Sequence, residues 1–139
     1  MLAAKVFHLF TAPQGLHEQV SQIAQLRRAA GMELPITIWE PRSRTYIPEN
    51  LHHALEAAKL ADVISPNHLE LLELFGQPTD GPFDPSQVES FAQVLACTGI
   101  GMDNNGIIVS SKTLAVLLIS SSGTTLLSKT LCPHRHGEL

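Results

Sequence analysis

Charged residues are scarce in this chain and are not clustered. Asp, Glu, Lys and Arg make up 16% of its 139 residues, against roughly 25% in an average soluble domain. Nine basic and thirteen acidic residues leave a formal net charge of −4, and the longest basic run is the pair Arg27-Arg28. Because nucleic-acid binding relies on many Lys and Arg contacts with phosphates, this composition argues against a nucleic-acid partner.

Long apolar runs and cysteines are also few. The longest uninterrupted apolar run covers residues 114–119, whereas a membrane-spanning helix needs about 20 residues, so no membrane partner is expected. The N-terminal stretch lacks the pattern of a secretory signal, and the two cysteines, Cys97 and Cys132, are too few for a disulfide scaffold. The sequence therefore predicts two reduced thiols in a cytoplasmic protein.

Short β-rich runs alternate with segments whose apolar residues recur at helical spacing. The predicted strands are residues 6–10, 36–39, 63–64, 106–109 and 115–119, and the predicted helices cover 16–30, 48–61, 68–75 and 85–96. This succession is typical of right-handed crossovers onto a mostly parallel sheet. We therefore expect a single three-layer α/β domain with helices on both sides of the sheet.

Polar residues follow the predicted strand 63–64, at the edge of a parallel sheet where ligands bind. Asn67 and Glu70 are three residues apart on the first turn of the next helix, so their side chains lie on the same side of it. Such a pair can hold Mg²⁺ through water and bind a phosphate. The same spacing also fits a plain helix cap, with Asn67 as the cap and Glu70 complementing the helix dipole. Spacing alone leaves both interpretations open.

Longer stretches carry a family resemblance. The segments 36–41 (Ile-Thr-Ile-Trp-Glu-Pro), 48–51 (Pro-Glu-Asn-Leu) and 57–76 resemble the PfkB (ribokinase-like) carbohydrate kinases, and within that family fungal members of the killer-virus-maintenance type. The specific part is 65–76, where Pro-Asn-x-x-Glu follows a strand and the helix ends in Phe-Gly. The resemblance implies a ribokinase-like (Rossmann-like) fold, with residues 1–131 forming a partial kinase domain and 132–139 an unordered tail.

The resemblance also implies a chemistry, namely ATP-dependent phosphorylation of a hydroxyl group on a sugar or nucleoside, with Mg²⁺ and ATP as cofactors. The family's Asn-x-x-Glu motif maps onto Asn67 and Glu70, which makes Glu70 the expected Mg²⁺ ligand and both residues expected contacts of the nucleotide phosphates. Glu40-Pro41-Arg42 lies where the family often has Asn-Pro. Glu40 departs from that pattern, while Arg42 remains a candidate for pairing with an anion.

Two family features are missing from the sequence. It contains no Gly-Ala-Gly-Asp segment, which in the family supplies the catalytic base and an anion hole, and the stretch 109–115 lacks the family's arginine and glycines. We therefore expect an internal fragment of a longer kinase, with no catalytic residue assigned and little or no activity alone. The alternative is a non-catalytic scaffold or interaction protein. Self-association is also expected, because a parallel sheet without its neighbours leaves apolar surface uncovered.

Overall fold

The structure is a computed structural model that describes residues 3–42, 44–103, 106–112 and 115–120. Five strands form one sheet in the order β1-β2-β3-β4-β5. They are β1 (Val6–Thr11), β2 (Ile36–Pro41), β3 (Val63–Ile64), β4 (Ile107–Lys112) and β5 (Ala115–Ser120). The first four are parallel, and β5 runs antiparallel to β4. The predicted α/β class with a mostly parallel sheet is confirmed.

Four α-helices connect the parallel strands. They are α1 (Pro13–Ala29), α2 (Leu51–Ala58), α3 (His68–Leu74) and α4 (Pro85–Thr98), and a 3₁₀ turn, Pro48–Asn50, precedes α2. α1 begins at Pro13 rather than at the predicted residue 16, because a first-turn position needs no N–H donor and tolerates proline. Gly31 and Gly76 follow α1 and α3 with φ angles of 66° and 70°, the left-handed conformation that ends a helix most easily with glycine.

The hydrophobic core lies between the helices and one face of the sheet. Trp39, Ile64 and Ile108 occupy equivalent positions on β2, β3 and β4 and are fully buried. α1 packs against α2, β1 and β2, while α4 packs against α2, α3 and β4. The indole Nε1 of Trp39 donates a hydrogen bond of 2.9 Å to the carbonyl oxygen of Thr11, so its one polar atom is satisfied inside the core.

The other face of the sheet is uncovered within the part of the chain that the structure describes. We call it the open face, and its residues are Val6, His8, Phe10, Ile36, Ile38, Glu40, Val63 and Ile107. Val6, Phe10 and Ile36 are 48%, 58% and 52% exposed, although parallel sheets are normally covered on both faces. The described residues thus supply the sheet and one helical layer of the three layers expected from the sequence.

Three further expectations concern the ends of the chain and the cysteines. Cys97, in the last turn of α4, is disulfide-bonded, so the prediction of two reduced thiols is wrong at this position. The expected tail, 132–139, lies outside the described residues. Among the helices that the structure describes, none is both long enough and apolar enough to cross a bilayer.

Candidate functional site

The carboxyl ends of β1, β2 and β3 lie at one edge of the sheet, because the three strands are parallel and in register. The chain leaves β2 through residues 42–47 and leaves β3 through residues 65–67 before α3 begins. We call the polar groups that gather here the strand-end site. Its residues are Glu40, Arg42, Tyr46, Asn67 and Glu70.

Asn67 and Glu70 form a reciprocal capping box at the start of α3. The Asn67 side-chain oxygen accepts a 2.9 Å hydrogen bond from the Glu70 backbone N–H, and Glu70 Oε2 accepts one of 2.7 Å from the Asn67 backbone N–H. The helix-cap interpretation is therefore correct as a description of geometry. The box uses one carboxylate oxygen, so Glu70 Oε1 lies outside it and can serve a ligand.

The Glu70 carboxyl group is in surroundings that disfavour its charge. Burial raises the pKa of Glu70 above its ordinary value, the backbone hydrogen bond from Asn67 lowers it, and the charges of Glu40 and Glu73 raise it further. The net effect is a raised pKa, since the cost of burying the charge exceeds the gain from one hydrogen bond. A cation beside Glu70 would oppose this penalty, because its positive charge favours the ionised carboxylate.

The Tyr46 side chain, in the loop after β2, is fully buried. Its ring packs edge-on against Trp39, with ring centroids 5.8 Å apart, and its hydroxyl has no hydrogen-bond partner among the described residues. Burial, and after it the charge of Glu70, raise the pKa of Tyr46 well above its ordinary value. The hydroxyl therefore stays protonated and can donate a hydrogen bond, yet it donates none here.

Hydrogen bonds at Thr45 hold the loop that carries Tyr46. Thr45 Oγ1 donates to the Arg42 carbonyl oxygen at 2.5 Å. Asn50 Nδ2 donates to the Thr45 carbonyl oxygen at 2.7 Å, and Gln14 Nε2 on α1 donates to Asn50 Oδ1 at 2.8 Å. The loop is thus attached to α1 and to the turn before α2, which fixes the position of the Tyr46 ring.

The side chains of Arg42 and Glu40 lie apart from the capping box that Asn67 and Glu70 form. The Arg42 backbone N–H donates to the Thr11 carbonyl oxygen at 3.1 Å, but its side chain is exposed and forms no ion pair with Glu70 in the described part of the chain. Glu40 points to the open face, where its Oε2 lies 2.9 Å from His8 Nε2. The structure therefore brings Asn67 and Glu70 together, with Glu40 near enough to act on Glu70, and leaves the Arg42 side chain in solvent.

These residues fit a partly hydrated Mg²⁺ ion better than a fully caged metal. Mg²⁺ usually binds one or two carboxylates and completes its shell with waters and substrate phosphates. The described residues contain no group of three or more His, Cys, Asp or Glu side chains placed to hold a metal by themselves. Glu70 supplies one free carboxylate oxygen and Glu40 adds negative charge, while the buried Tyr46 hydroxyl is a donor without a partner in the described residues.

Sequence reasoning missed Tyr46 and undervalued Glu40. Tyr46 is the sole tyrosine of the chain, and no motif spacing relates it to Glu70, since only the loop between β2 and α2 brings them together. In the sequence, Glu40 stands out only as a departure from the pattern of the family that the chain resembles. Its effect on Glu70, however, depends on the neighbouring position of β2 and β3 in the sheet, which its place in the sequence does not reveal.

Comparison with known proteins gives a clear result for the fold and a limited one for the sequence. No protein-family model matches the chain. A protein of Schizosaccharomyces pombe that is itself uncharacterized is 28% identical over 109 residues, which covers 78% of this chain and 29% of that protein.

Solved structures of kinases share the architecture. Ribokinase from Giardia lamblia superposes with a TM-score of 0.57 at 16% identity over 99% of this chain and 38% of its own. Pyridoxal kinase from Leishmania donovani, solved with ADP and pyridoxamine, gives 0.55 at 17% identity over 85% and 44%. The fold is ribokinase-like. The structural neighbours are PfkB-family kinases, and this chain spans less than half the length of each of these two proteins.

Proposed function

We propose that this chain is the nucleotide-phosphate and Mg²⁺ corner of a PfkB-type phosphotransferase, whose parent activity moves the terminal phosphoryl group of ATP to a sugar or nucleoside hydroxyl. The observation that carries the proposal is the placement of Glu70. It caps α3 with one oxygen, keeps the other free, and lies half-buried at the strand ends beside further carboxylates. The ribokinase-like fold supports this assignment. We also propose a kinship to fungal members of the family, for which the support is a 28% identical protein from a fungus.

Each residue has a stated part in the proposal. Glu70 holds the cation through its free oxygen or through a metal-bound water, Asn67 fixes Glu70, and Arg42 closes from solvent onto an anionic phosphate. When bound, Mg²⁺ would neutralise phosphate charge. No described residue is assigned as the general base, because the sequence lacks the Gly-Ala-Gly-Asp segment that the family resemblance calls for.

Cation binding is the direct test. We expect Mn²⁺, measured by electron paramagnetic resonance and displaced by Mg²⁺, to bind the full chain at one site, more tightly when ATP is present. Glu70→Gln removes the charge but keeps the capping geometry, so it should lose that binding. Glu49→Gln is the matched control, since Glu49 is exposed and lies in the 3₁₀ turn before α2. Equal binding by both variants would contradict the assignment of Glu70.

We further propose that the chain alone does not catalyse phosphoryl transfer from ATP. Loss of a general base typically costs about 10²- to 10⁴-fold in rate, and the anion hole of the same segment is lost with it. Incubation with ATP, Mg²⁺ and a panel of sugars and nucleosides should therefore give no phosphorylated product above background. Product formation at an ordinary kinase rate, abolished by Glu70→Gln, would overturn this part of the proposal.

The second candidate is a non-catalytic scaffold, and the open face is the observation that favours it. Six of its eight residues are apolar, and Val6, Phe10 and Ile36 are each about half exposed or more. A scaffold would bury this surface against another polypeptide and would need no cation. Self-association without Mn²⁺ binding would favour the scaffold, whereas Mn²⁺ binding that is lost in Glu70→Gln favours the kinase corner.

A further inference from the structure

The Tyr46 hydroxyl is a buried polar group whose presence packing does not explain. The ring fills space against Trp39 and is fully buried, a task that phenylalanine performs equally well. The hydroxyl has no partner in the described residues, and a buried donor without an acceptor is unfavourable. The hydroxyl therefore lacks the acceptor that a buried donor normally has.

Glu70 is the acidic group placed to become that acceptor. Tyr46 packs on Trp39 of β2, and the backbone of Trp39 accepts a 2.8 Å hydrogen bond from Ser65 N–H, two residues before Asn67. Burial, and after it the charge of Glu70, raise the pKa of Tyr46, so the carboxylate lies near enough to act on the hydroxyl. Glu70 Oε2 is held by the Asn67 N–H, so Oε1 is the atom left to be fixed.

We propose that Tyr46 is a positioning residue for Glu70, and that its hydroxyl donates a hydrogen bond to the Glu70 carboxylate when that carboxylate holds a divalent cation. The inference rests on the proposed function. Carboxylates that bind metals are commonly held by hydrogen bonds from a second layer of residues, which orient the ligand oxygen. With Asn67 N–H on one oxygen and the Tyr46 hydroxyl on the carboxylate as well, Glu70 would meet the cation in one fixed orientation.

The test uses the fact that Tyr46 is the sole tyrosine in the chain, so any tyrosine signal belongs to it. Ultraviolet resonance Raman spectra of the full chain are recorded while Mg²⁺ is added. The intensity ratio of the two bands of the tyrosine Fermi doublet should change from the value of a hydroxyl that donates no hydrogen bond to the value of a donor. The midpoint of this change should lie at the Mg²⁺ concentration that displaces half of the bound Mn²⁺. In Glu70→Gln the doublet should not respond to Mg²⁺.

Tyr46→Phe supplies the functional measurement. We expect Mn²⁺ affinity to fall by about 10- to 100-fold, the usual effect of losing a second-layer partner. The melting temperature without a cation should stay the same or rise, because the variant no longer buries an unpartnered hydroxyl. These measurements separate a positioning role from a structural one. If Tyr46 had only a structural role, Tyr46→Phe would lower the melting temperature, and the tyrosine spectrum of the wild type would not respond to Mg²⁺.

Thr37→Val is the matched control for removing a hydroxyl. Thr37 is also buried on β2, but its Oγ1 donates to Asp62 Oδ2 at 3.1 Å at the opposite end of the strand. Thr37→Val should lower the melting temperature, because it removes this hydrogen bond, and leave the Mn²⁺ affinity unchanged. If the wild-type chain binds no Mn²⁺, both the proposed function and this inference are overturned. If the wild type binds Mn²⁺ and Tyr46→Phe binds it equally, with an unresponsive tyrosine spectrum, only this inference is overturned.

Discussion

At the scale of single residues, Glu70 combines two requirements that conflict. As part of the capping box it must accept a hydrogen bond from Asn67 N–H, which favours the ionised form. As a half-buried group near Glu40 and Glu73 it is pressed toward the neutral form, and burial is the larger effect. A residue kept only to cap a helix would be more stable in solvent. The conflict is typical of carboxylates whose charge serves a ligand.

This conflict predicts a pH-dependent stability difference for Glu70→Gln in the metal-free protein. Because the pKa of Glu70 is raised in the folded state, its contribution to stability is complete below the unfolded pKa and is lost as pH rises through the folded pKa. Gln keeps an acceptor for Asn67 N–H and never ionises. With a chelator present, the variant should therefore melt at a higher temperature than wild type at about pH 7 and gain much less at about pH 4.

Glu49→Gln again serves as the control, since Glu49 is exposed and should show no such pH-dependent difference. Thermal unfolding followed by circular dichroism measures both variants. A melting difference for Glu70→Gln that is the same at both pH values would show that burial does not raise the pKa of Glu70.

At the scale of elements, the connection from α4 to β4 fixes where β4 begins. Gly106 N–H donates to the Ile100 carbonyl oxygen at 2.9 Å, and Ile100 is fully buried. Gly101 N–H, with φ at 78°, donates to the Ala58 carbonyl oxygen at 3.0 Å. The next residue, Ile107, then pairs with Val63 of β3. A close backbone approach at Gly106 thus sets the register of β4 in the sheet.

Gly106→Ala should therefore destabilise the fold. A Cβ atom at position 106 would come within 2.7 Å of the Ile100 carbonyl carbon and oxygen, and backbone atoms cannot yield as a flexible side chain can. Overpacking of this kind costs about 1–3 kcal/mol. Gly81→Ala is the control, because nothing lies within 4 Å of a Cβ placed there. Urea unfolding measures both, and equal stabilities would show that β4 shifts without cost.

At the scale of the whole molecule, successive side chains along each strand point to opposite faces of the sheet. In the described residues one of these faces is buried under the helices and the other is the open face. On β1 and β2 the residues facing the helices include Thr11, Thr37 and Trp39, all buried, while Phe10 and Ile36 on the other face are more than half exposed. The two polar residues of the open face, His8 and Glu40, pair with each other. The rest of this face is apolar, which favours the self-association predicted from the sequence.

Ile36→Lys tests this prediction without touching the strand-end site, since Ile36 is the first residue of β2 at the other end of the sheet. A lysine on the open face should lower the apparent mass of the chain in light scattering toward that of a monomer. Leu26→Lys is the matched control, because Leu26 is 58% exposed, against 52% for Ile36, but lies on α1. Wild-type protein that is monomeric at tens of micromolar would contradict the prediction.

Local residue patterns are enough to predict the class of fold, the order of its elements and the pair Asn67 and Glu70. Apolar spacing, Pro85 at a helix start and Gly31 and Gly76 after helix ends are local signals, and they act locally in the structure. The start of α1 at Pro13, ahead of the predicted residue 16, is the exception. The cap formed by Asn67 and Glu70 is equally local. For the same reason, the predicted helices and strands lie close to the observed ones, apart from shifts of a few residues at their ends.

The surroundings of Glu70 and the covered face of the sheet depend on contacts between distant parts of the chain. The partners of Glu70 come from separate parts of the chain: Glu40 from β2 and Tyr46 from the loop before α2. Their effects depend on distance and burial, which strand order sets and residue spacing does not. The open face follows from the path of the crossovers, since strands in the order β1-β2-β3-β4 carry their connecting helices to the same side. Local patterns fix elements, whereas the electrostatics and the exposed surface arise from how those elements are arranged.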